Sequence, residues 1–324
     1  MKRHLFILLT LILGLVAPSQ ALANSFSGRA MVVDAGVLGF QPIVLADTGP
    51  LPSEGGSQDA SLLDESVPGL LSVSVLHATT VAMGDASRSE ASVANLNLTV
   101  AGNSIGAGFL MSRAEAHCSP AVFGNSEILE LMINNQTVTV SGAPNQTLLL
   151  PGGGTVTINE QSQSVQGNHA DITVTALHVI VPGVADVAVA RAHADITCTG
   201  SQCPSDKDFV TGGGRISTPS GKGTFAVAGG IKNGGYWGHL TFIDHGSGMK
   251  VKGTGVTDYI VLSETRRRIK GSCEIDGQGG YSYTVEVDDQ GEPGRNDWFQ
   301  MDLTNGYSAA GTLEGGNIQL HTCK

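Results

Sequence analysis

Lysine is missing from more than half of this 324-residue chain, and charged and aromatic residues are scarce throughout. Charged residues make up 15% and aromatic residues 5% of the sequence, whereas about a quarter of an average globular protein is charged. The formal net charge of −11 argues against nucleic acid or an anionic membrane as a partner. The 44 glycines argue against a helical bundle, because helices depend on strong helix-forming residues.

Residues 1–23 have the pattern of a signal peptide. The basic start Met1–His4 precedes an apolar run, 5–16, and Ala21-Leu22-Ala23 fits a cleavage site of small residues. The run is too short to span a membrane well, and no later segment is long enough. We therefore expect a mature chain without a transmembrane segment that is secreted or extracellular, with the periplasm and the cell surface as alternative locations.

The distribution of charge divides the mature chain in two. Residues 24–200 contain four arginines, no lysine and 15 acidic residues, whereas residues 201–324 contain 12 basic and 14 acidic residues. The change coincides with the turn-rich stretch that begins at Cys198. The sequence thus predicts an acidic, lysine-free N-terminal domain at 24–199, a linker at 200–204 and a glycine-rich C-terminal domain at 205–324.

Alternation of apolar and polar residues predicts β-strands in both domains. Leu71, Val73 and Val75 alternate with serines, and Ile128–Ile133 and Thr137–Val140 flank a hairpin turn. The stretch from Asp47 to Gly69 is rich in Pro, Gly, Ser and acidic residues and is predicted to be a surface loop. No sustained helical period occurs. The fold class is therefore all-β.

The C-terminal domain shows eight short strand-like segments from 223 to 320, joined by Gly-rich or Asn-Gly turns. Regular spacing with short turns is typical of an antiparallel meander. We predict two antiparallel β domains: a sandwich-like N-terminal domain, and a C-terminal meander that forms either a sandwich or a barrel.

Several motifs resemble the bacterial choice-of-anchor P family and the domain that often follows it. In the N-terminal domain they are LHATT at 76–80, GDASRSEASVANL at 84–96, FLMSRA at 109–114, PNQT at 144–147, INEQ at 158–161 and AHADI at 192–196. In the C-terminal domain they are DFVTGGG at 208–214, WGHL at 237–240, IDHG at 243–246 and GEPG at 291–294. The resemblance implies a secreted or surface protein and brings no catalytic residues. The chain departs from the family in having no recognisable anchoring signal.

Two sets of charged residues are candidate metal ligands. Arg113, Glu115 and His117 share one face of a predicted strand, as Arg191, His193 and Asp195 do on another. If those strands were neighbours, two imidazoles and two carboxylates could converge on a transition metal. The ligand spacing is not diagnostic, so we favour an ordinary salt-bridged, solvated sheet face.

An acidic loop in the C-terminal domain is a candidate calcium site. Asp288, Asp289, Glu292 and Asp297 surround a Gly-Pro-Gly turn, and carboxylate oxygens suit Ca²⁺. Turn chemistry alone also explains these residue types. We therefore expect no cofactor and keep Ca²⁺ as the alternative.

Histidines at alternating strand positions give weaker signals. His239 and His245 lie opposite the apolar Leu240 on one predicted strand, roughly 20 Å apart, which is too far for shared metal binding. We interpret both as surface residues. His77 and His178 are predicted to be hydrogen-bonded histidines in the core or at its rim.

The five cysteines leave at least one unpaired. Cys273 falls on the apolar face of a strand and is predicted to be a buried free thiol. Cys118 and Cys198 each end a strand with a face of small residues, which permits the close approach that a disulfide requires. We pair them, and pair Cys203 with Cys323, which bracket the C-terminal domain. The rival pairing joins Cys273 to Cys323 and leaves Cys203 free.

These observations predict a secreted protein of the extracellular space or cell surface, non-catalytic and with a structural or adhesive role. Its expected partners are extracellular matrix, a surface protein or a glycan. The alternative is a carbohydrate-binding module or a glycan-acting hydrolase. A glycan face would use the C-terminal aromatics, because the N-terminal domain has neither Tyr nor Trp. The candidates are Tyr236, Trp237, Tyr281, Tyr283 and Trp298.

Overall fold

The computed structural model describes residues 23–119, 121–199, 208–232 and 234–322. Every regular element in these residues is a β-strand, and all strand pairs are antiparallel. The chain is therefore all-β, as predicted. The predicted signal peptide and linker, together with Cys203 and Cys323, lie outside the described residues, apart from Ala23 at the end of the former. No helix of the described part is long and apolar enough to cross a membrane.

The N-terminal half, residues 23–199, contributes thirteen strands. In chain order they are β1 (Ser25–Val37), β2 (Ile43–Asp47), β3 (Gly56–Val67), β4 (Leu71–Met83), β5 (Ala86–Val100), β6 (Asn103–His117), β7 (Ala121–Leu129), β8 (Met132–Ile133), β9 (Gln136–Thr137), β10 (Gln146–Leu150), β11 (Gly154–Gln166), β12 (His169–Val181) and β13 (Ala185–Thr197). They form sheet A, in the order β10-β11-β12-β13-β1-β2, and sheet B, in the order β3-β4-β5-β6-β8-β9 with β7 also on β6.

The C-terminal half, residues 208–322, contributes nine strands. They are β14 (Asp208–Thr218), β15 (Gly221–Lys232), β16 (Gly235–Asp244), β17 (Lys250–Val261), β18 (Arg266–Ile275), β19 (Gln278–Asp288), β20 (Trp298–Leu303), β21 (Ser308–Thr312) and β22 (Gly315–Thr322). They form one sheet, sheet C, in the order β21-β20-β19-β18-β17-β16-β15-β14-β22. A single apolar core, which includes Phe225, Phe242 and Phe299, fills the inside of its curve.

Sheets A and B pack face to face as a sandwich. Alternate residues of β4, such as Leu76 and Ala78, enter the same core as Val187 and Val189 of β13. Toward one end of the sandwich both sheets present small residues, including Ala114 of β6 and Ala194 of β13. Small side chains let two backbones approach closely. The disulfide between Cys118 and Cys198 closes this end, with their Cα atoms 5.5 Å apart.

The disulfide has the partners that the strand faces predict, and Cys273 is a free, buried cysteine in the core of sheet C. The prediction for Asp47–Gly69 is wrong in part, because 56–67 form β3 at the edge of sheet B. Local pattern misses this strand because its side chains are polar and half-exposed. Register pairing with β4, from Gly56 opposite Ala82 to Val67 opposite Leu71, holds it in the sheet.

Candidate functional site

The outer face of sheet B lies against the outer face of sheet C, so that sheet B is the middle of three layers. Val75 and Ala94 of sheet B form a small apolar cluster with Ala226 and Ile243 of sheet C. The two sheets approach closely at Gly213, where a Cβ would lie 2.7 Å from Ser92 Oγ, so that the serine hydroxyl would have to move. We call this contact between sheets B and C the seam.

Ion pairs cross the seam, and nearly all share one polarity. Acidic groups of the N-terminal half meet basic groups of the C-terminal half in Asp59–His239, Asp64–Lys250, Glu127–Arg295, Glu130–Lys222 and Glu130–Arg215. The reverse arrangement occurs in Arg113–Glu292. The division of charge along the sequence therefore serves recognition between the two halves. The unequal distribution of acidic and basic residues between the two halves is the sequence feature from which this contact could have been predicted.

Glu90 and Arg113 form a buried pair within the seam. Arg113 Nε lies 3.5 Å from Glu90 Oε2, and Asn317 Nδ2 of sheet C donates to the same oxygen over 3.4 Å. These are long contacts for a charged pair. Burial therefore outweighs the attraction of Arg113 and raises the pKa of Glu90 to about 7. The seam thus contains a carboxyl group that exchanges its proton near neutral pH.

Asp297 is a second carboxyl of this kind. It is fully buried, and burial raises its pKa to about 7 although it accepts hydrogen bonds from two backbone amides. Those amides belong to Gln290 and Ile318, each 2.8 Å from a carboxylate oxygen. Asp297 therefore ties the loop between β19 and β20 to β22, which contributes Asn317 to the seam.

Three further groups form a chain across the seam. His239 Nδ1 lies 2.8 Å from Asp59 Oδ2, and His239 Nε2 lies 3.2 Å from His77 Nδ1. Burial and the neighbouring His239 lower the pKa of His77 to about 3, so this ring stays neutral. The hydrogen bond confirms the interpretation of His77. The interpretation of His239 and His245 as surface residues is wrong, because sheet B covers them: His245 Nδ1 lies 3.1 Å from Asn95 Nδ2.

A cleft of about 630 Å³ opens beside the seam, with lining residues from both halves. Arg113 and Glu115 of β6 line it together with Phe123 of β7, Gln161 of β11 and Glu292 of the loop between β19 and β20. Burial alone would raise the pKa of Glu115, but hydrogen bonding from His117 and the charges of Arg88 and Arg113 lower it to about 2. The cleft therefore presents a permanent carboxylate next to a buried guanidinium.

The two predicted sets of metal ligands do not converge. Glu115 and His117 bond to one another on the outer face of sheet B. On sheet A, His193 instead bonds to Asp171 and Asp195 to His169. The hypothesis fails because β6 and β13 belong to different sheets, whose inner faces meet while these residues point outward. The interpretation as a salt-bridged, solvated face is right about the ion pairs, but the face of β6 is not solvated, because Arg113 and Glu115 are buried. No group of three or more possible metal ligands occurs in the described residues.

The acidic loop uses several of its oxygens on the protein itself. Asp289 accepts from the backbone amides of Gly291 and Leu320, Asp288 accepts from Gln290 Nε2, and Glu292 pairs with Arg113. These bonds give the loop a fixed shape against β22 and β6. Calcium binding here stays a prediction.

The five C-terminal aromatics do not form one exposed platform, which corrects the predicted glycan face, although Tyr236 is exposed as predicted. Tyr283 is buried in the core of sheet C and Tyr281 packs against that core, because alternation along β19 turns both inward. Trp298 lies under the Arg266 guanidinium, 4.4 Å from its carbon. Trp237 lies beside Phe209 near the seam. The exposed aromatic at the cleft is instead Phe123 of the N-terminal half.

Comparison with known proteins gives no family for this chain. No family model matches it, and no curated protein does. A protein described as AttH from Nitrosomonas europaea aligns over 95% of this chain and 99% of its own, with 9% identity and a TM-score of 0.22. Kievitone hydratase from Nectria haematococca aligns over 92% and 90%, with 9% identity and a TM-score of 0.21. At such scores neither similarity carries an argument about function.

Proposed function

We propose that this chain is an exported, non-catalytic protein of the cell surface or extracellular space, with a structural or adhesive role. The observation that carries the proposal is the seam, where matched charges hold the two halves sheet to sheet. Because the two halves are held together, the exposed surfaces of sheets A and C keep a fixed orientation to each other. A fixed orientation favours a protein that acts by binding a partner.

Two further features support export. The Cys118–Cys198 disulfide is of the kind that persists in oxidising compartments outside the cytoplasm. Residues 1–23 have the pattern of a signal peptide. The resemblance to the choice-of-anchor P family agrees with a surface or secreted location, and we propose bacterial origin and that family on the same motifs.

The test is to express the full chain with its own leader and an internal epitope tag in a bacterial host. We expect the tag outside the cytoplasm and thiols 118 and 198 blocked to alkylation. We also expect purified residues 24–324 to bind to cells or matrix-coated surfaces. A cytoplasmic protein in which both thiols react would overturn export. If the purified protein does not bind, and if deleting its gene leaves the cell surface unchanged, the structural or adhesive role is overturned. Release of reducing sugars from polysaccharides would overturn the non-catalytic assignment.

A further inference from the structure

The cleft beside the seam has the location and size of a ligand site. Ligand sites prefer junctions between domains and commonly enclose about 300–1,000 Å³, and this cleft encloses about 630 Å³. Glu292 and Pro293 of the C-terminal half line it together with Phe123 on β7 of the N-terminal half. The cleft therefore exists only while the two halves are docked.

The charges at the cleft compensate one another. The Arg113 side chain is only 6% exposed and pairs with Glu292 at the cleft, with Glu90 behind it. Glu115 lies against Arg88, with Arg88 Nε 3.4 Å from Glu115 Oε2. An anion would meet Glu115 and Glu292, and a cation would meet Arg113. This part of the cleft, formed by Arg113, Glu115 and Glu292, therefore favours an uncharged ligand that can both donate and accept hydrogen bonds.

Amide side chains supply such paired groups at the rim. Asn125, Gln161 and Gln163 line the cleft. An amide offers a donor and an acceptor side by side, but Gln161 leaves only its oxygen for a ligand, because both hydrogens of its Nε2 are used within the protein. Gln161 is held in place because its Nε2 donates to Gly124 O and Asn159 Oδ1. Neighbouring hydroxyl groups on a sugar ring match this arrangement.

Phe123 gives the cleft an apolar surface. Its side chain is 61% exposed, and His117 packs against it edge-on with ring centroids 5.5 Å apart. Such a contact fixes an aromatic ring and leaves area for a ligand. Gly124 next to it lets β7 lie tightly on sheet A, because a Cβ there would lie 2.6 Å from Ile172 Cδ1. The aromatic ring is therefore placed by the packing of the sandwich.

We propose that the cleft binds a short neutral saccharide, with its apolar C–H face on Phe123 and its hydroxyl groups on the amides and carboxylates. This inference rests on the proposed adhesive function and names the class of ligand that the function requires. Glu115 and Glu292 would accept protons from hydroxyl groups, and Gln163 would both donate and accept.

The test uses residues 24–324 on an array of neutral and anionic glycans, followed by calorimetric titration with the neutral di- and trisaccharides that score highest. We expect the wild type to bind neutral glycans selectively. Binding should be at least tenfold weaker in Phe123→Ala, and it should also be weaker than wild type in Gln163→Leu. Phe40→Ala is the matched control, because Phe40 is also an exposed aromatic and lies outside the cleft. Equal melting temperatures show that the variants fold.

Three outcomes overturn the site: no binding to any neutral glycan, preference for anionic glycans, or equal weakening in Phe123→Ala and Phe40→Ala. Surface location and cell binding are measured in parallel on the same preparations. If Phe123→Ala still binds cells as the wild type does and no neutral glycan is bound, the saccharide site fails and the adhesive role stands. If neutral glycans bind but export and cell binding fail, the proposed function fails and the site stands.

Discussion

Replacing Glu90 by Gln should remove a pH-dependent loss of stability from the wild-type protein. Glu90 is 5% exposed, and its pKa rises from 4.5 to about 7 on folding, chiefly through burial. A carboxyl whose pKa is raised binds its proton more tightly in the folded state. Its contribution to stability is therefore complete below pH 4.5 and is lost as the pH rises through 7.

The magnitude follows from the size of this shift. Each pKa unit corresponds to about 1.4 kcal/mol, so ionised Glu90 should cost the folded protein about 3 kcal/mol between pH 4.5 and pH 8. Gln has nearly the same shape, stays neutral and can still accept the hydrogen bond from Asn317. The difference in unfolding free energy between Glu90→Gln and the wild type should therefore grow with pH and level off above pH 7. Asp297, which shares the seam, contributes equally to both proteins apart from its repulsion by Glu90.

The assay is urea unfolding at constant ionic strength from pH 5 to pH 8, followed by far-ultraviolet circular dichroism. Glu264→Gln is the control, because Glu264 is exposed in the turn between β17 and β18 and should show no such trend. A difference that does not change with pH would refute the reasoning. So would a wild type that gains on the variant as the pH rises, since Arg113 would then stabilise an ionised Glu90.

Three other changes test separate parts of the structure. Cys118→Ser with Cys198→Ser releases a link between residues 80 apart, which should cost about 4–5 kcal/mol of unfolding free energy in urea; a loss under ~1 kcal/mol would contradict the chain-entropy argument. His77 is buried and neutral, and its pKa is lowered to about 3, so the wild type should lose unfolding free energy as the pH falls from 6.5 towards 3. His77→Gln should reduce that loss, and an unchanged slope of unfolding free energy against pH would refute the argument. Gly213→Leu places a Cβ 2.7 Å from the facing sheet and should weaken the seam by about 1–3 kcal/mol, seen as faster amide exchange in β5 and β14; Gly279→Ala, with open space around it, should not.

The strands were predictable because each depends on local alternation. Segments such as 235–244 and 298–303 coincide with β16 and β20 as observed. Alternation also placed three cysteines correctly, namely Cys118 after β6, Cys198 after β13 and Cys273 on β18, since it fixes which side chains point inward. A strand such as β3 depends instead on its partner. Its residues Asp59 and Asp64 make ion pairs with sheet C, which no local pattern encodes.

The candidate site was visible in part. The sequence placed Arg113 and Glu115 on one face of a strand, and the structure agrees. It could not name their partners, because Arg113 pairs with Glu90 of β5 and with Glu292, which is 179 residues away. Sheet docking over such a separation is set by tertiary packing. The polar residues of β4 to β6 therefore resembled a solvated sheet face.

The polar outer face of sheet B lets sheet C cover it, while sheet A covers the apolar inner face. Burying polar groups without hydrogen-bond partners destabilises a protein. Several buried groups, including His77 Nε2 and Thr241 Oγ1, have no hydrogen-bond partner among the described residues. Apolar contact in the seam is confined to one small cluster around Val75 and Ile243, so we infer that matched charges select the docking geometry. The saccharide cleft depends on that geometry, because Glu292 reaches Arg113 only across the seam. Weakening the seam should therefore weaken saccharide binding even when Phe123 and the rim amides are untouched.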